Sequence, residues 1–142
     1  MELSVHDNFL YGYIVVSDHD QSRSYTITLY TEFLDRPPNE YTDIVFTGVV
    51  AHHFDNELPN TILFDVEETD LGRIYEDDHE LFERLKNYGW PPYAYATGDE
   101  LVATLKAEHI KAFAISASYG LDGWVWAKQM TKVQRDGRKE FA

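Results

Sequence analysis

Residues 24–33, SYTITLYTEF, decide how the first half of this chain folds. Apolar or aromatic side chains dominate the odd positions, and polar side chains dominate the even ones. Successive side chains of a β-strand point to opposite faces, so this period of two predicts a strand with one buried and one wetter face. Residues 9–16 are apolar at both parities, and a polar turn separates them from this strand. The two segments together therefore predict a β-hairpin.

The same reasoning, carried outward along the chain, predicts four more strands and two helices. The predicted strands are residues 41–54, 61–66, 112–118 and 124–133. One helix is predicted over residues 70–88, and a second after a capping box formed by Thr97 and Glu100. Gly48 inside the third strand indicates a bulge or a close approach of another backbone. The order β-β-β-β-α-α-β-β predicts an α+β fold in one domain, residues 1–142, with a single antiparallel sheet and both helices packed on one face.

Negative charge is concentrated in the first half of the chain. Residues 1–70 hold 14 Asp and Glu against two Arg, a net charge of −12, whereas the whole chain carries −13. Such a charge repels nucleic-acid phosphates and anionic lipid head groups, so we expect neither nucleic acid nor a membrane as partner. It favours a basic protein partner. Self-association through a sheet edge, as a homodimer, remains compatible with this interpretation.

The composition also restricts location and chemistry. The chain has no cysteine, which excludes disulfides and Cys-ligated zinc. Its first residues lack the basic and apolar segments of a signal peptide, so we expect a cytoplasmic protein. The sequence contains no nucleotide-binding loop and no catalytic motif, so it predicts no cofactor, no catalytic residue and a protein that is more readily a binder than an enzyme.

The acidic and aromatic residues of the chain provide one set of predicted binding residues. Acidic side chains in turns or at strand ends are placed to meet a basic partner, and aromatic side chains in loops are frequent anchors at interfaces. The predicted partner-binding residues are Asp18, Asp20, Glu32, Asp35, Glu40, Asp43, Asp55, Glu57, Trp90, Tyr93 and Tyr95. By contrast, Trp124 and Trp126 share one face of the last strand and are predicted to lie in the core.

The histidines support an alternative hypothesis, in which the chain is a small metal-dependent hydrolase or ligand-binding enzyme. His6, Asp7 and His52 are the candidate metal ligands, because imidazole and carboxylate groups together can bind zinc or iron. His52 and His53 are neighbours on a strand, so they point to opposite faces and cannot converge on one ion. In an up-and-down sheet, His6 and His52 also lie at opposite ends of two parallel strands.

Three segments of the sequence resemble those of a small bacterial protein family of unknown function. They are HDNFLYGY (residues 6–13), YTDIVFTGVVAHHF (residues 41–54) and ISASYGLDGW (residues 115–124). The resemblance implies a compact α+β domain and assigns no activity or functional residue. A short acidic α+β domain that opens with a His-Asp strand is also similar to many immunity proteins of bacterial toxin systems. That similarity implies a toxin-neutralising or regulatory role.

Overall fold

The computed structural model describes residues 4–19, 23–34 and 39–141 and confirms the α+β class. Its strands are β1 (Phe9–Ser17), β2 (Tyr25–Phe33), β3 (Glu40–Val49), β4 (Ala51–Asp55), β5 (Thr61–Thr69), β6 (Lys111–Tyr119), β7 (Asp122–Ala127) and β8 (Gln129–Arg135). Its helices are α1 (Leu71–Asp77), α2 (His79–Leu85) and α3 (Gly98–Ala107), with a 3-10 turn at Lys86–Tyr88. The strands described form one sheet in the order β4-β7-β6-β5-β1-β2-β3-β8, and all their pairings are antiparallel.

Two of the predicted strands are each divided by a bend. The third becomes β3 and β4, and the last becomes β7 and β8. At the first bend Gly48 has a φ of 62°, a backbone conformation that glycine adopts without a steric penalty. Hydrogen bonds from Val50 N to Trp126 O (2.9 Å) and from Lys128 N to Thr47 O (3.0 Å) carry the ladder across the bends. As a result, β4 leaves β2 and pairs with β7 alone among the described strands.

The first hydrophobic core fills the inside of a strongly curved sheet. Phe46 of β3 and Phe113 of β6 have ring centroids 5.7 Å apart, although three strands separate β3 from β6 in the sheet order. The buried members of this core include Leu10, Ile27, Leu29, Ile44, Phe46, Val49, Leu63, Val66, Phe113, Ile115 and Val125. Strand pairing alone would not bring these two rings together, so the contact requires the curvature.

The second core lies where the helices cover the outer face of β4, β6 and β7. Phe82 of α2 is fully buried, and its ring stacks on Trp90, Trp124 and Trp126 with centroid distances of 5.3, 5.6 and 5.2 Å. Trp124 and Trp126 therefore lie in the core, as predicted. Leu71, Ile74, Leu101 and Leu105 complete the helical side of this core. Both predicted helical regions pack here, on one face of the sheet.

The first predicted helix is interrupted, and the prediction of one continuous helix over residues 70–88 was wrong. Asp78, between α1 and α2, has φ −109° and ψ 28°, outside the helical region. Tyr88 lies in the 3-10 turn that follows α2 and is 83% exposed. Thr97 caps α3 as predicted, since its Oγ1 accepts from Glu100 N at 3.2 Å, but the Glu100 carboxylate reaches back to Ala96 N (2.8 Å), one residue before the cap. No helix of the described residues is long and apolar enough to cross a membrane.

Candidate functional site

An acidic groove of about 600 Å³ lies between β4 and the junction of α1 and α2. Five carboxylates line it against a single arginine and two histidines. Its lining residues are His53, Asp55, Glu76, Asp77, Asp78, His79, Glu80, Leu81 and Arg84. We refer to this set as the acidic groove. An excess of one charge inside a concave surface concentrates the electrostatic potential there.

The helix interruption at Asp78 forms one wall of the acidic groove. The Asp78 carboxylate accepts a hydrogen bond from the indole N–H of Trp124, so the junction between α1 and α2 is fixed to β7. Because α1 ends and α2 begins at this residue, acidic side chains from both helices line the same groove. β4 provides the opposite wall through His53 and Asp55, which share one face of that strand.

Most of the groove's negative charge is not neutralised by the residues that the structure describes. Asp77 lies 3.8 Å from Arg73, but both side chains are largely exposed, and such pairs contribute little. Asp55 lies 3.2 Å from His53, which is charged only when protonated. The side-chain carboxylates of Glu76 and Glu80 form no ion pair or hydrogen bond with any other described residue. The groove therefore presents charges that an external cation can pair with.

The predicted acidic residues separate into different environments. Glu32 and Asp43 are 8% and 7% exposed and bind Arg138 and Arg135 of the same chain, so both carboxylates are paired within the chain in this structure. Asp18 accepts hydrogen bonds from Ser24 and Thr26 and holds the β1–β2 turn.

The other predicted acids lie in three further places. Glu40 is exposed at the start of β3, and Asp55 lines the acidic groove. Glu57 follows β4 and accepts from the Tyr13 hydroxyl at 2.6 Å. Asp20 and Asp35 lie outside the described residues. Of the predicted acids that the structure describes, only Asp55 lies in the groove.

The predicted aromatic anchors close the second core instead of projecting from it. Trp90 stacks on Phe82, and Tyr95 is 9% exposed beneath the Lys86 ammonium group, 4.5 Å from its ring centroid. Tyr93 is partly buried and donates to Glu108 at 3.2 Å. Burial, together with the negative charge of Glu108, raises the pKa of Tyr93. These contacts are made within the chain.

The structure does not bring the candidate metal ligands together. His6 Nδ1 lies 2.9 Å from the Phe64 carbonyl, and its Nε2 lies 3.5 Å from Asp7. His52 is elsewhere, with its Nδ1 2.7 Å from the Tyr25 hydroxyl. Burial lowers the pKa of His52 and raises the pKa of Tyr25 to about 12, so the neutral forms of both are favoured. No three His, Asp or Glu side chains of the described residues are grouped so as to hold a metal ion.

Sequence reasoning missed the helical wall of the groove. Residues 76–80, EDDHE, contain four acids in five positions, which was a visible signal. On a continuous helix these side chains point in different directions, so the sequence did not indicate that they line one surface. The interruption at Asp78 changes that arrangement.

Comparison with models of known protein families, with curated proteins and with solved structures finds no match to this chain. The resemblance to a bacterial family and the similarity to immunity proteins therefore stay predictions.

Proposed function

We propose that this chain is a non-enzymatic binding protein, of a regulatory or toxin-immunity type, that docks a basic protein partner in its acidic groove. The observation that carries the proposal is the groove itself, in which five carboxylates face one arginine. Lysine and arginine side chains of a partner supply the missing positive charge. Opposite potentials on two surfaces speed their association and make binding sensitive to salt.

The strand beside the groove adds a second supporting feature. β4 has a strand neighbour on one side only among the described strands, so the backbone groups of its other edge have no strand partner. Such an edge accepts an extended segment of another protein through main-chain hydrogen bonds. An extended basic segment alongside β4 would place its side chains next to Asp55, at the entrance to the groove.

The proposal is tested by affinity capture from a lysate of the organism that encodes the chain. The groove variant carries Asp55→Asn, Glu76→Gln and Glu80→Gln. Its matched control carries Glu40→Gln, Glu67→Gln and Glu68→Gln, three exposed acids outside the groove, so both lose the same charge. We expect the wild type and the control to retain a basic protein that the groove variant does not retain, and high salt to release it.

The captured protein then allows a quantitative test. An exposed charge pair is worth about 0.2–1 kcal/mol, so the three groove substitutions together should weaken binding about tenfold. Equal affinity of the groove variant and the control would contradict a role for the groove. Capture of no basic protein by the wild type would contradict the proposed function.

A further inference from the structure

Residues 136–141, here called the tail, pack on the outer face of β1, β2 and β3. The surface beneath them, here called the tyrosine face, consists of Tyr11, Gly12, Tyr30, Glu32, Tyr41 and Asp43. Terminal residues are commonly poorly ordered, and this tail is mostly polar. It forms specific contacts instead.

Arg138 makes the central contact of the tail. Its Nη1 donates to Glu32 Oε1 at 3.1 Å, and its Cζ lies 4.2 Å from the ring centroid of Tyr11. An arginine over a tyrosine ring is attracted by the negative face of the ring. The next residue, Lys139, donates its backbone N–H to the Tyr11 hydroxyl at 2.9 Å. One arginine thus contacts both an acid and an aromatic ring.

Phe141 makes the second contact, three residues further along. Its ring centroid lies 5.4 Å from that of Tyr30 and 6.3 Å from that of Tyr11. A Cβ atom on Gly12 would approach the Phe141 ring to 2.8 Å, so the absence of a side chain at Gly12 leaves room for the ring. The tyrosine face therefore contacts an arginine and, three positions later, an aromatic ring of the tail.

Arg135, the last residue before the tail, is bonded to Asp43 of β3. This residue ends β8 and donates from Nε and Nη2 to Asp43 Oδ2 at 3.0 and 2.9 Å. By contrast, the tail itself contains no helix or strand, and Arg138 and Phe141 remain 54% and 51% exposed. The tail can therefore leave the face without breaking the β3–β8 ladder.

We propose that the tyrosine face is a second docking surface, for a partner segment with the pattern Arg-x-x-aromatic, and that the tail occupies it until such a segment displaces the tail. The charge and ring arrangement that holds Arg138 and Phe141 in cis fits the same two side chains on another protein. A short tether keeps the tail at a high effective concentration, so occupation in cis suppresses binding in trans. This surface is separate from the acidic groove, and the proposal does not depend on the function of the groove.

The test uses a synthetic peptide with the sequence of the tail as the ligand. A truncated protein ending at Asp136 is titrated with a synthetic peptide of residues 136–142, and chemical shifts are followed by NMR. We expect saturable shifts confined to the tyrosine face, and at least tenfold weaker binding to the full chain. Glu32→Gln in the truncated protein should weaken binding at least threefold, whereas the three groove substitutions should leave it unchanged. That contrast separates failure of this proposal from failure of the proposed function.

Two controls make the result decisive. A peptide with Arg138→Ala and Phe141→Ala should give no saturable shifts, and equal binding of this peptide would overturn the proposal. So would a folded truncated protein that does not bind the native peptide, or a truncated protein that fails to fold. In the full chain, hydrogen exchange of the Lys139 amide should be at least tenfold faster than that of the β3 core amides. Exchange only through global unfolding would show that the tail does not detach.

Discussion

Phe82 packs α2 against three tryptophan rings, two of them in β7 and one (Trp90) in the segment before α3, so its contribution to stability can be predicted from packing alone. We expect Phe82→Ala to lower the free energy of unfolding by about 3–5 kcal/mol, because it leaves a cavity among stacked rings. Urea denaturation followed by tryptophan fluorescence measures the change. Tyr88→Ala is the matched control, since Tyr88 is exposed and should change stability by less than about 0.5 kcal/mol. A similar loss in both variants would contradict this account of the core.

His52 gives the protein a predictable response to acid. Burial lowers its pKa in the folded state, so the unfolded chain takes up a proton first as pH falls. The stability that neutral His52 contributes is therefore complete above the ordinary histidine pKa of about 6.5 and is lost as pH falls towards the folded value. Charged or titratable neighbours are Glu57, which opposes the shift, His53, which reinforces it, and the Tyr25 hydroxyl.

The corresponding experiment compares unfolding free energies between pH 7.5 and pH 5. Wild type should lose more stability over this range than His52→Gln, whose amide side chain does not titrate. His19→Gln, at an exposed position, should follow the wild type. Parallel pH profiles for wild type and His52→Gln would show that His52 does not contribute.

At the scale of elements, the bend between β3 and β4 depends on Gly48. Its φ of 62° is unfavourable for residues with a Cβ atom by about 1–2 kcal/mol, and asparagine tolerates it better than alanine. We expect Gly48→Ala to lower the free energy of unfolding by about this amount and Gly48→Asn to lower it by less. Chemical denaturation of the two variants tests the order. If both lose the same stability, contact with Lys128 and not the backbone conformation limits this position.

The start of α3 rests on one side-chain cap. Thr97 accepts from the Glu100 amide, and Glu100 in turn accepts from the Ala96 amide at 2.8 Å. Thr97→Ala should therefore cost about 1 kcal/mol of stability, and Thr97→Ser should cost much less because serine keeps the hydroxyl. Thermal unfolding of both variants measures the difference. Equal losses would indicate that the methyl group, and not the cap, matters here.

These elements also show what a sequence can reveal. The alternation in residues 24–33 and the cap at Thr97 were predictable because they depend on neighbours within one strand or turn. The interruption at Asp78 was not, since it is accompanied by a hydrogen bond to Trp124, 46 positions away. The pairing of β5 with β1, and not with β4, also depends on residues far apart in the sequence. The bend in the third predicted strand carries β4 to β7, so β4 does not lie beside β5.

At the scale of the whole molecule, the fold redistributes the charge that the sequence concentrates in its first half. Glu32 and Asp43 are paired with arginines 106 and 92 positions later, a neutralisation that local sequence cannot show. Conversely, Asp55 joins Glu76 and Glu80 from the second half, which is nearly neutral overall. The sequence thus predicted an acidic binding protein, and of the predicted acids that the structure describes, Asp55 alone lines the acidic groove.

Like charges held together in the acidic groove should also reduce the stability of the free protein. We expect the groove variant (Asp55→Asn, Glu76→Gln, Glu80→Gln) to be more stable than wild type at 0.01 M salt, where charges interact over about 30 Å. The difference should shrink at 0.1 M salt, where that length is about 10 Å. The control variant (Glu40→Gln, Glu67→Gln, Glu68→Gln) should gain less, because its acids do not share the groove. The test measures the melting temperatures of the three proteins at both salt concentrations. Equal increases in melting temperature for the two variants would assign the effect to net charge alone. A larger gain for the groove variant, combined with its loss of partner binding, would mean that the groove acids weaken the free protein and strengthen the complex.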